Sequence, residues 1–213
     1  MMQPRIVICT GGQLGPFALE HIDTADLLIG ADSGARFLVN HGYRPDISIG
    51  DFDSVSEQEL LAIRSSSSQT IACDPIDKDY TDTEMAMRLA LDLQPREIIL
   101  IGALGTRFDH SLANVHLLAL ASEAQVPASI IDNHNKITLL TDTAFISHHG
   151  YPNVSLLPLS LKVTGITLTG FQYPLDDASL TIGQSLGISN VLLSESGRIA
   201  IASGLLLVIQ SRD

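Results

Sequence analysis

The sequence predicts two architectures in series. The first is an α/β N-terminal domain with a Rossmann-like, mainly parallel sheet, and the second is a smaller all-β domain of sandwich or jelly-roll-like type. Three observations carry this. Apolar runs of strand length alternate with helix-like segments through the first two thirds of the chain, the pattern that builds a parallel sheet with helices on both faces. From about Lys136 onward helix patterns stop, and short strands recur between turns marked by glycine and proline. The 213 residues, 45% of them hydrophobic, are enough for one large core or two small ones. The expected domains are residues 1–135 and 136–213.

Taken in order, Arg5 to Thr10 is an apolar run ended by Gly11-Gly12, with a short helix from Pro16 to His21. Leu27 to Ala31 is a second strand, ending at Asp32-Ser33-Gly34 before a helix from Ala35 to Asn40. Asp46 to Gly50 is a third strand. Ser56-Glu57-Gln58-Glu59 is a capping box that opens a helix to about Arg64, and Ser65 to Ser68 read as a surface loop. Thr70 to Cys73 is a fourth strand, followed by an acidic loop to Tyr80. Thr81-Asp82-Thr83-Glu84 is a second capping box, opening a helix with Met85, Ala86, Leu89, Ala90 and Leu93 on one face. Glu97 to Ile101, a helix from Asp109 to about Gln125, and a strand from Ala128 to Asp132 complete the domain. In the second domain, strands are expected at Ile137–Leu140, Val154–Leu157, Leu161–Leu168, Ser179–Ile182, Val191–Ser194, Arg198–Ala202 and Leu205–Gln210. Ser196-Gly197 carries a hairpin signal.

Composition narrows the function classes. The formal net charge is −12, from 12 basic and 24 acidic residues. Such a surface repels nucleic acid and anionic membranes, so neither is expected as a partner. Cys9 and Cys73 both lie in apolar runs and lack partners at zinc-ligand spacing, which suits buried thiols in a reducing compartment. The first strand begins almost at once, leaving no room for a signal peptide, and no apolar run is long enough to span a bilayer. A cytoplasmic protein is the expectation.

The candidate chemistry concentrates where the predicted strands end. Right-handed crossovers place the carboxyl ends of parallel strands along one edge, where ligands bind in open α/β sheets. Asp32 follows the second strand, Asp51 and Asp53 the third, Asp74 to Asp82 the fourth and Asp109 the fifth. A single acid per loop is explained by helix capping, which serves for Asp109 as well as a binding role does. Capping does not explain the alternating pair in Gly50-Asp51-Phe52-Asp53-Ser54, nor Asp77, Asp79 and Asp82 packed around Lys78. Crowded carboxylates repel one another unless a cation neutralises them, which points to a divalent metal that also carries substrate phosphates. Arg36, Lys78 and Arg107 fall in or near the same loops, as phosphate partners or as ion pairs with the aspartates. Gly102, Gly105 and the start of the following helix offer a further anion site. Both the Walker pattern and the dinucleotide-binding glycine pattern are missing.

At these motifs the chain resembles the thiamine pyrophosphokinase family. The likeness is carried by Ala31-Asp32-Ser33-Gly34-Ala35, Gly50-Asp51-Phe52-Asp53-Ser54, Lys78-Asp79-Tyr80-Thr81-Asp82-Thr83-Glu84, and Gly102 to His110 with Asn114. Ser189-Asn190 after Gly187 resembles a Ser-Asn pair of the family's β domain. The resemblance implies transfer of pyrophosphate from ATP to the hydroxyl of thiamine by a magnesium-dependent homodimer, with the active site at the subunit interface. It places Asp51, Asp53 and Asp82 on magnesium. Asp32, Ser33, Gly34, Arg36, Lys78, Asp79, Thr81, Arg107, Asp109, His110 and Asn114 fall at the nucleotide and phosphate site, and Ser189 and Asn190 at thiamine. A carboxylate among Asp51, Asp53 and Asp79 would accept the hydroxyl proton.

The chain departs from the family pattern in having no tryptophan, where many members pack one against thiamine. Ser33 and Thr106 also stand where many members have glycine. A pyrophosphokinase for another hydroxymethyl heterocycle, such as a pterin, therefore stays open. So do a catalytically silent nucleotide or thiamine sensor and, from the Asp-x-Asp pair alone, a metal-dependent phosphohydrolase.

Overall fold

A computed structural model describes residues 3–73, 79–148 and 150–213. The chain divides into two compact units, residues 1–133 and 134–213. In the first unit, six strands form a parallel sheet: β1 (Arg5–Cys9), β2 (Leu27–Ala31), β3 (Ile47–Gly50), β4 (Gln69–Ala72), β5 (Glu97–Ile101) and β6 (Ala128–Ile131). Their spatial order is β6-β5-β1-β2-β3-β4, with every neighbouring pair parallel. The chain winds outward from β1 to β4 and then returns to set β5 on the other side of β1. That reversal opens a crevice at the carboxyl ends of the strands.

The two faces of the sheet are read directly from side-chain alternation. Val7, Cys9, Ile99, Ile101 and Ile131 share one buried cluster with Ala18 and Ile22 of α1 (Phe17–Ile22) and Leu38 of α2 (Ser33–Asn40). The alternate residues Ile6, Ile8, Ile98 and Leu100 point the other way and are also fully buried. Both faces are therefore covered, as a parallel sheet requires. The remaining helices are α3 (Glu57–Ser66), α4 (Asp82–Asp92) and α5 (Phe108–Glu123). Gly34 lets α2 sit hard against β1, because a Cβ there would overlap the Cys9 carbonyl. Burial also pushes the Cys9 thiol pKa up to about 12, which leaves it inert.

Several local expectations change. Ser65 and Ser66 end α3 instead of forming a loop, and the Ser67 hydroxyl donates to the Ile63 carbonyl and bonds the fully buried Ser48. The Ser56 box forms in full, but at Thr81 only half of it does. The Thr81 hydroxyl accepts the Glu84 N–H, while the Glu84 carboxylate turns to Arg88 four residues on. In α4 the buried residues are Ala86, Met87 and Ala90, with Leu93 exposed past the helix end. Asp109 does not cap α5. Arg107 occupies that position and Asp109 lies in the first turn. Cys73 is half-buried, with its thiol 3.5 Å from the Met85 sulfur.

The second unit contains two antiparallel sheets. Strands β7 (Asn135–Leu140), β9 (Asn153–Pro158), β12 (Asn190–Val191) and β14 (Leu206–Ser211) join in the order β12-β9-β14-β7. Strands β8 (Thr143–Ser147), β10 (Lys162–Thr169), β11 (Ala178–Thr181) and β13 (Ser196–Ala200) join in the order β11-β10-β13-β8. Both sheets feed one core. Val154, Leu156, Leu206 and Val208 from the first meet Val163, Ile166, Leu180 and Ile199 from the second, the arrangement of a β-sandwich.

Ser196-Gly197 is not a hairpin turn. Both residues lie in β13, where Gly197 has no Cβ because one would strike the Phe171 ring and the Leu192 side chain. Strand β8 is additional to the expected set. It buries only Ile146 deeply and so leaves little alternation to read.

Among the described residues, no helix is long and apolar enough to cross a membrane. The close approach at Gly34 has a direct consequence. Gly34→Ala should destabilise the fold by about 1–3 kcal/mol through overpacking against β1. Urea unfolding followed by circular dichroism reads this as a lower midpoint, and an unchanged midpoint would refute it.

Candidate active site

The parallel register assembles the site. Ala31 of β2 stands opposite Ile49 of β3, so the residues following each strand emerge side by side. The Asp32 N–H donates to the Ile49 carbonyl (2.9 Å) and fixes Asp32 beside Gly50 and Asp51. Asp32 adopts a left-handed backbone, with φ 49° and ψ −122°, which a non-glycine residue holds only at a cost of about 1–3 kcal/mol. Phe52 is also left-handed, with φ 59°, and its ring is buried with Ala35 and Ile63. The turn at Phe52 keeps Asp51 and Asp53 together, and the Asp53 N–H donates to Asp51 Oδ1 (3.1 Å). The pair thus converges through a turn anchored by a buried ring, beyond the end of the strand at Gly50.

Asp32, Asp51 and Asp53 each place a carboxylate oxygen within 4.8 Å of the others. Within the Asp32 carboxylate, Oδ1 is buried and accepts no hydrogen bond, while Oδ2 accepts from the Ser54 hydroxyl (2.6 Å). A buried carboxylate oxygen left without a donor costs stability unless a cation completes it. Hard oxygen donors at this spacing suit magnesium or a similar ion.

A cavity of about 670 Å³ lies along the carboxyl edge of the first unit. Asp32, Ser33 and Ser54 line it after β2 and β3, and Asp79, Thr81 and Asp82 line it ahead of and at the start of α4. Gly102, Gly105, Arg107, His110 and Asn114 from the loop and helix after β5 line it as well. Three acids, a guanidinium-bearing residue and a histidine thus line one cavity, whereas Asp51 and Asp53 are not among its lining residues. Arg107 donates to Asp109 through Nη2 (2.7 Å) and Nε (3.4 Å), in an exposed pair. Asn114 is buried and donates to the Ala103 carbonyl (2.7 Å), bracing the glycine-rich turn.

The expected residues do not all converge. Asp82 lines the cavity but lies outside the close trio of carboxylates found among the described residues. Arg36 donates to the Ser54 carbonyl (3.2 Å) and lies 3.7 Å from Glu59, so it braces a loop and does not line the cavity. Gly34 serves helix packing, whereas Ser33 faces Gly11 inside the cavity. Lys78, with Asp74 and Asp77, lies outside the described residues.

Ser189 and Asn190 belong to the second unit. Asn190 is buried, accepting from the Tyr173 and Val191 N–H groups and donating to the Tyr173 carbonyl (2.7 Å). Ser189 beside it is exposed, with φ 56°.

Sequence reasoning missed the contribution of the first loop. Thr10, Gly11 and Gly12 also line the cavity. The Thr10 hydroxyl and the Gly12 N–H both donate to the Gly102 carbonyl (2.5 and 2.7 Å), tying the β1 and β5 loops together. The glycine pair after β1 was the available signal. Ser111 was missed as well. Its hydroxyl accepts from the Gly105 N–H (3.0 Å) and donates to the Arg107 carbonyl (3.1 Å).

Known proteins share this architecture. Residues 18–130 match the family model described as thiamin pyrophosphokinase, catalytic domain, and residues 143–206 match thiamin pyrophosphokinase, vitamin B1 binding domain. The chain is 34% identical over 212 residues to a thiamine pyrophosphokinase of Bacillus subtilis, covering 98% of this chain and 99% of that protein. Its fold is similar to the crystal structure of thiamine pyrophosphokinase from Bacillus subtilis, with a TM-score of 0.90 at 33% identity, covering 98% and 99% of the two chains. It is also similar to that of Geobacillus thermodenitrificans, with a TM-score of 0.87 at 35% identity and 98% of each chain covered. Likeness in sequence and fold that runs through both units, over nearly the whole of each chain, makes this chain a member of the thiamine pyrophosphokinase family.

Proposed function

We propose that this chain transfers the terminal pyrophosphate of ATP to the primary hydroxyl of thiamine, giving thiamine diphosphate and AMP. The observation that carries the reading is the lining of one cavity, where Asp32, Asp79 and Asp82 are gathered with Arg107 and His110. In this reaction the thiamine oxygen forms a bond to the β-phosphorus as the bond from that phosphorus to the α-bridging oxygen breaks. AMP leaves with the electron pair. Such transfers depend on charge neutralisation and alignment more than on a strong nucleophile.

Asp51 and Asp53 would hold magnesium, with Asp32 from its place beside them and Asp82 from its motif. The ion, when bound, neutralises phosphate charge that this acidic chain would otherwise repel. Arg107 supplies a cation for the phosphates, held in place by Asp109. The hydroxyl proton passes to a carboxylate among Asp51, Asp53 and Asp79. The working unit is proposed to be a homodimer whose second unit contributes Ser189 to thiamine binding, with Asn190 bracing the turn that presents it. In its support, the segment carrying these residues exposes Ile182, Leu186, Ile188 and Leu193, an apolar surface of the kind a second copy covers. A cytoplasmic location is likewise part of this reading.

The absence of tryptophan keeps one second reading, a hydroxymethyl pterin or similar heterocycle as acceptor. An assay with ATP, magnesium and either acceptor separates the two. AMP release that depends on thiamine is the expected result. ADP release, or AMP release indifferent to thiamine, would refute the proposal. Asp51→Asn should lower turnover about a hundredfold or more with the fold retained by circular dichroism, and turnover near that of the parent would remove Asp51 from the metal site.

The Arg107 pair makes a pH prediction. The guanidinium hydrogen bond holds the Asp109 carboxyl below its ordinary range, with smaller help from the His110 backbone N–H. A depressed carboxylate contributes above its unfolded pKa, and the contribution is lost as pH falls through its folded value. Carbon-detected NMR titration should therefore show Asp109 titrating below 3.8, and Arg107→Gln should move it back up. An unmoved titration would break the link between the two.

A further inference from the structure

We infer that Ser54 is a positioning residue, whose hydroxyl holds one oxygen of Asp32 so that the other is presented to the cation shared with Asp51 and Asp53. The inference rests on the magnesium reading above and assigns a role that the capping rules alone do not. A serine two residues past an acidic turn is ordinarily read as a helix cap. Here α3 is capped by Ser56, and the Ser54 hydroxyl instead donates to Asp32 Oδ2 at 2.6 Å. Asp32 Oδ1 is left buried and without a hydrogen bond, in the group of carboxylates whose oxygens lie within 4.8 Å of one another.

Both ends of this hydrogen bond are held from behind. The Asp32 backbone is fixed by its N–H bond to the Ile49 carbonyl (2.9 Å) and by its left-handed φ of 49°. The Ser54 carbonyl accepts from Arg36 Nη1 (3.2 Å), and Arg36 lies 3.7 Å from Glu59 Oε1. Glu59 is in turn locked into the first turn of α3 by the Ser56 N–H (2.8 Å). A chain of contacts therefore runs from α3 through Glu59, Arg36 and Ser54 to Asp32. Without the hydroxyl, the Asp32 carboxylate is free to rotate and share both oxygens between solvent and the cation. Groups that orient a metal ligand in this way typically account for about 10–100-fold in metal affinity.

The test uses manganese as the probe, titrated into the full chain without nucleotide and read by electron paramagnetic resonance. Ser54→Thr and Ser54→Val add nearly the same bulk at an exposed position and differ in the hydroxyl, so folding differences largely cancel between them. Ser54→Val should weaken manganese affinity about 10–100-fold, and Ser54→Thr should stay within a few fold of the parent. Equal affinity in the two variants, with the parent binding manganese and Asp51→Asn not, would overturn the role of Ser54 and leave the metal site standing. A parent chain that fails to bind manganese, or an Asp51→Asn chain that binds it unchanged, would overturn the metal reading and this inference with it. A steady-state readout adds a second discrimination: loss of positioning raises the magnesium concentration for half-maximal rate more than it lowers the rate at saturation.

Discussion

The site depends on the register between two parallel strands. With Ala31 opposite Ile49, the chain leaving β2 and the chain leaving β3 come out at the same height. The Asp32 N–H then closes on the Ile49 carbonyl, and three carboxylates from two loops meet. A slip of one residue would turn every β3 side chain to the opposite face and carry Asp51 away with it. The buried apolar side chains of both strands resist such a slip, so the core that stabilises the sheet also sets the spacing of the three carboxylates.

Electrostatics bears on why acidic and basic residues share the cavity. A chain with a net charge of −12 that gathers acids at a sheet edge is poised to repel a polyphosphate. The arrangement makes sense if a cation neutralises the carboxylates, and Arg107 of the β5 loop lines the same cavity as Asp32. The other nearby arginine is committed elsewhere. Arg36 is drawn to Glu59 and to the Ser54 carbonyl, so its charge shapes a loop beside the site. Whether a cation near a motif serves the ligand or the scaffold is thus decided by which acid lies within reach, and Glu59 reaches Arg36 because the capping box holds it at the start of α3.

In the second unit the same division between scaffold and surface appears at neighbouring residues. Asn190 spends its carboxamide on backbone groups of Tyr173 and Val191, as a buried amide must. Ser189 beside it stands exposed in a left-handed turn, among exposed leucines and isoleucines. Asn190 therefore shapes the turn that presents Ser189. The two inner faces of the sandwich supply the stability behind it, and Gly197 lets Phe171 and Leu192 close over the strand below.

How much was legible in the sequence follows from how local each cause was. Alternating and continuous apolar runs identified the β-α units of the first unit and most strands of the second, because burial on one or two faces writes itself into residue order. The Ser56 box was legible for the same reason, since both of its hydrogen bonds lie within four residues. Strand β8 was not legible, as only Ile146 faces the core strongly. Gly197 was misread because its cause, the Phe171 ring, is distant in sequence. By itself, then, the sequence determined the fold class and that acidic residues follow the carboxyl ends of several strands, since these follow from periodicity and short motifs. Only the tertiary structure decided that Asp32 joins Asp51 and Asp53, that Ser54 holds it, that Arg36 turns away and that the β1 loop completes the cavity. Each of these depends on strand register and on contacts between residues far apart in the chain, which no local pattern encodes.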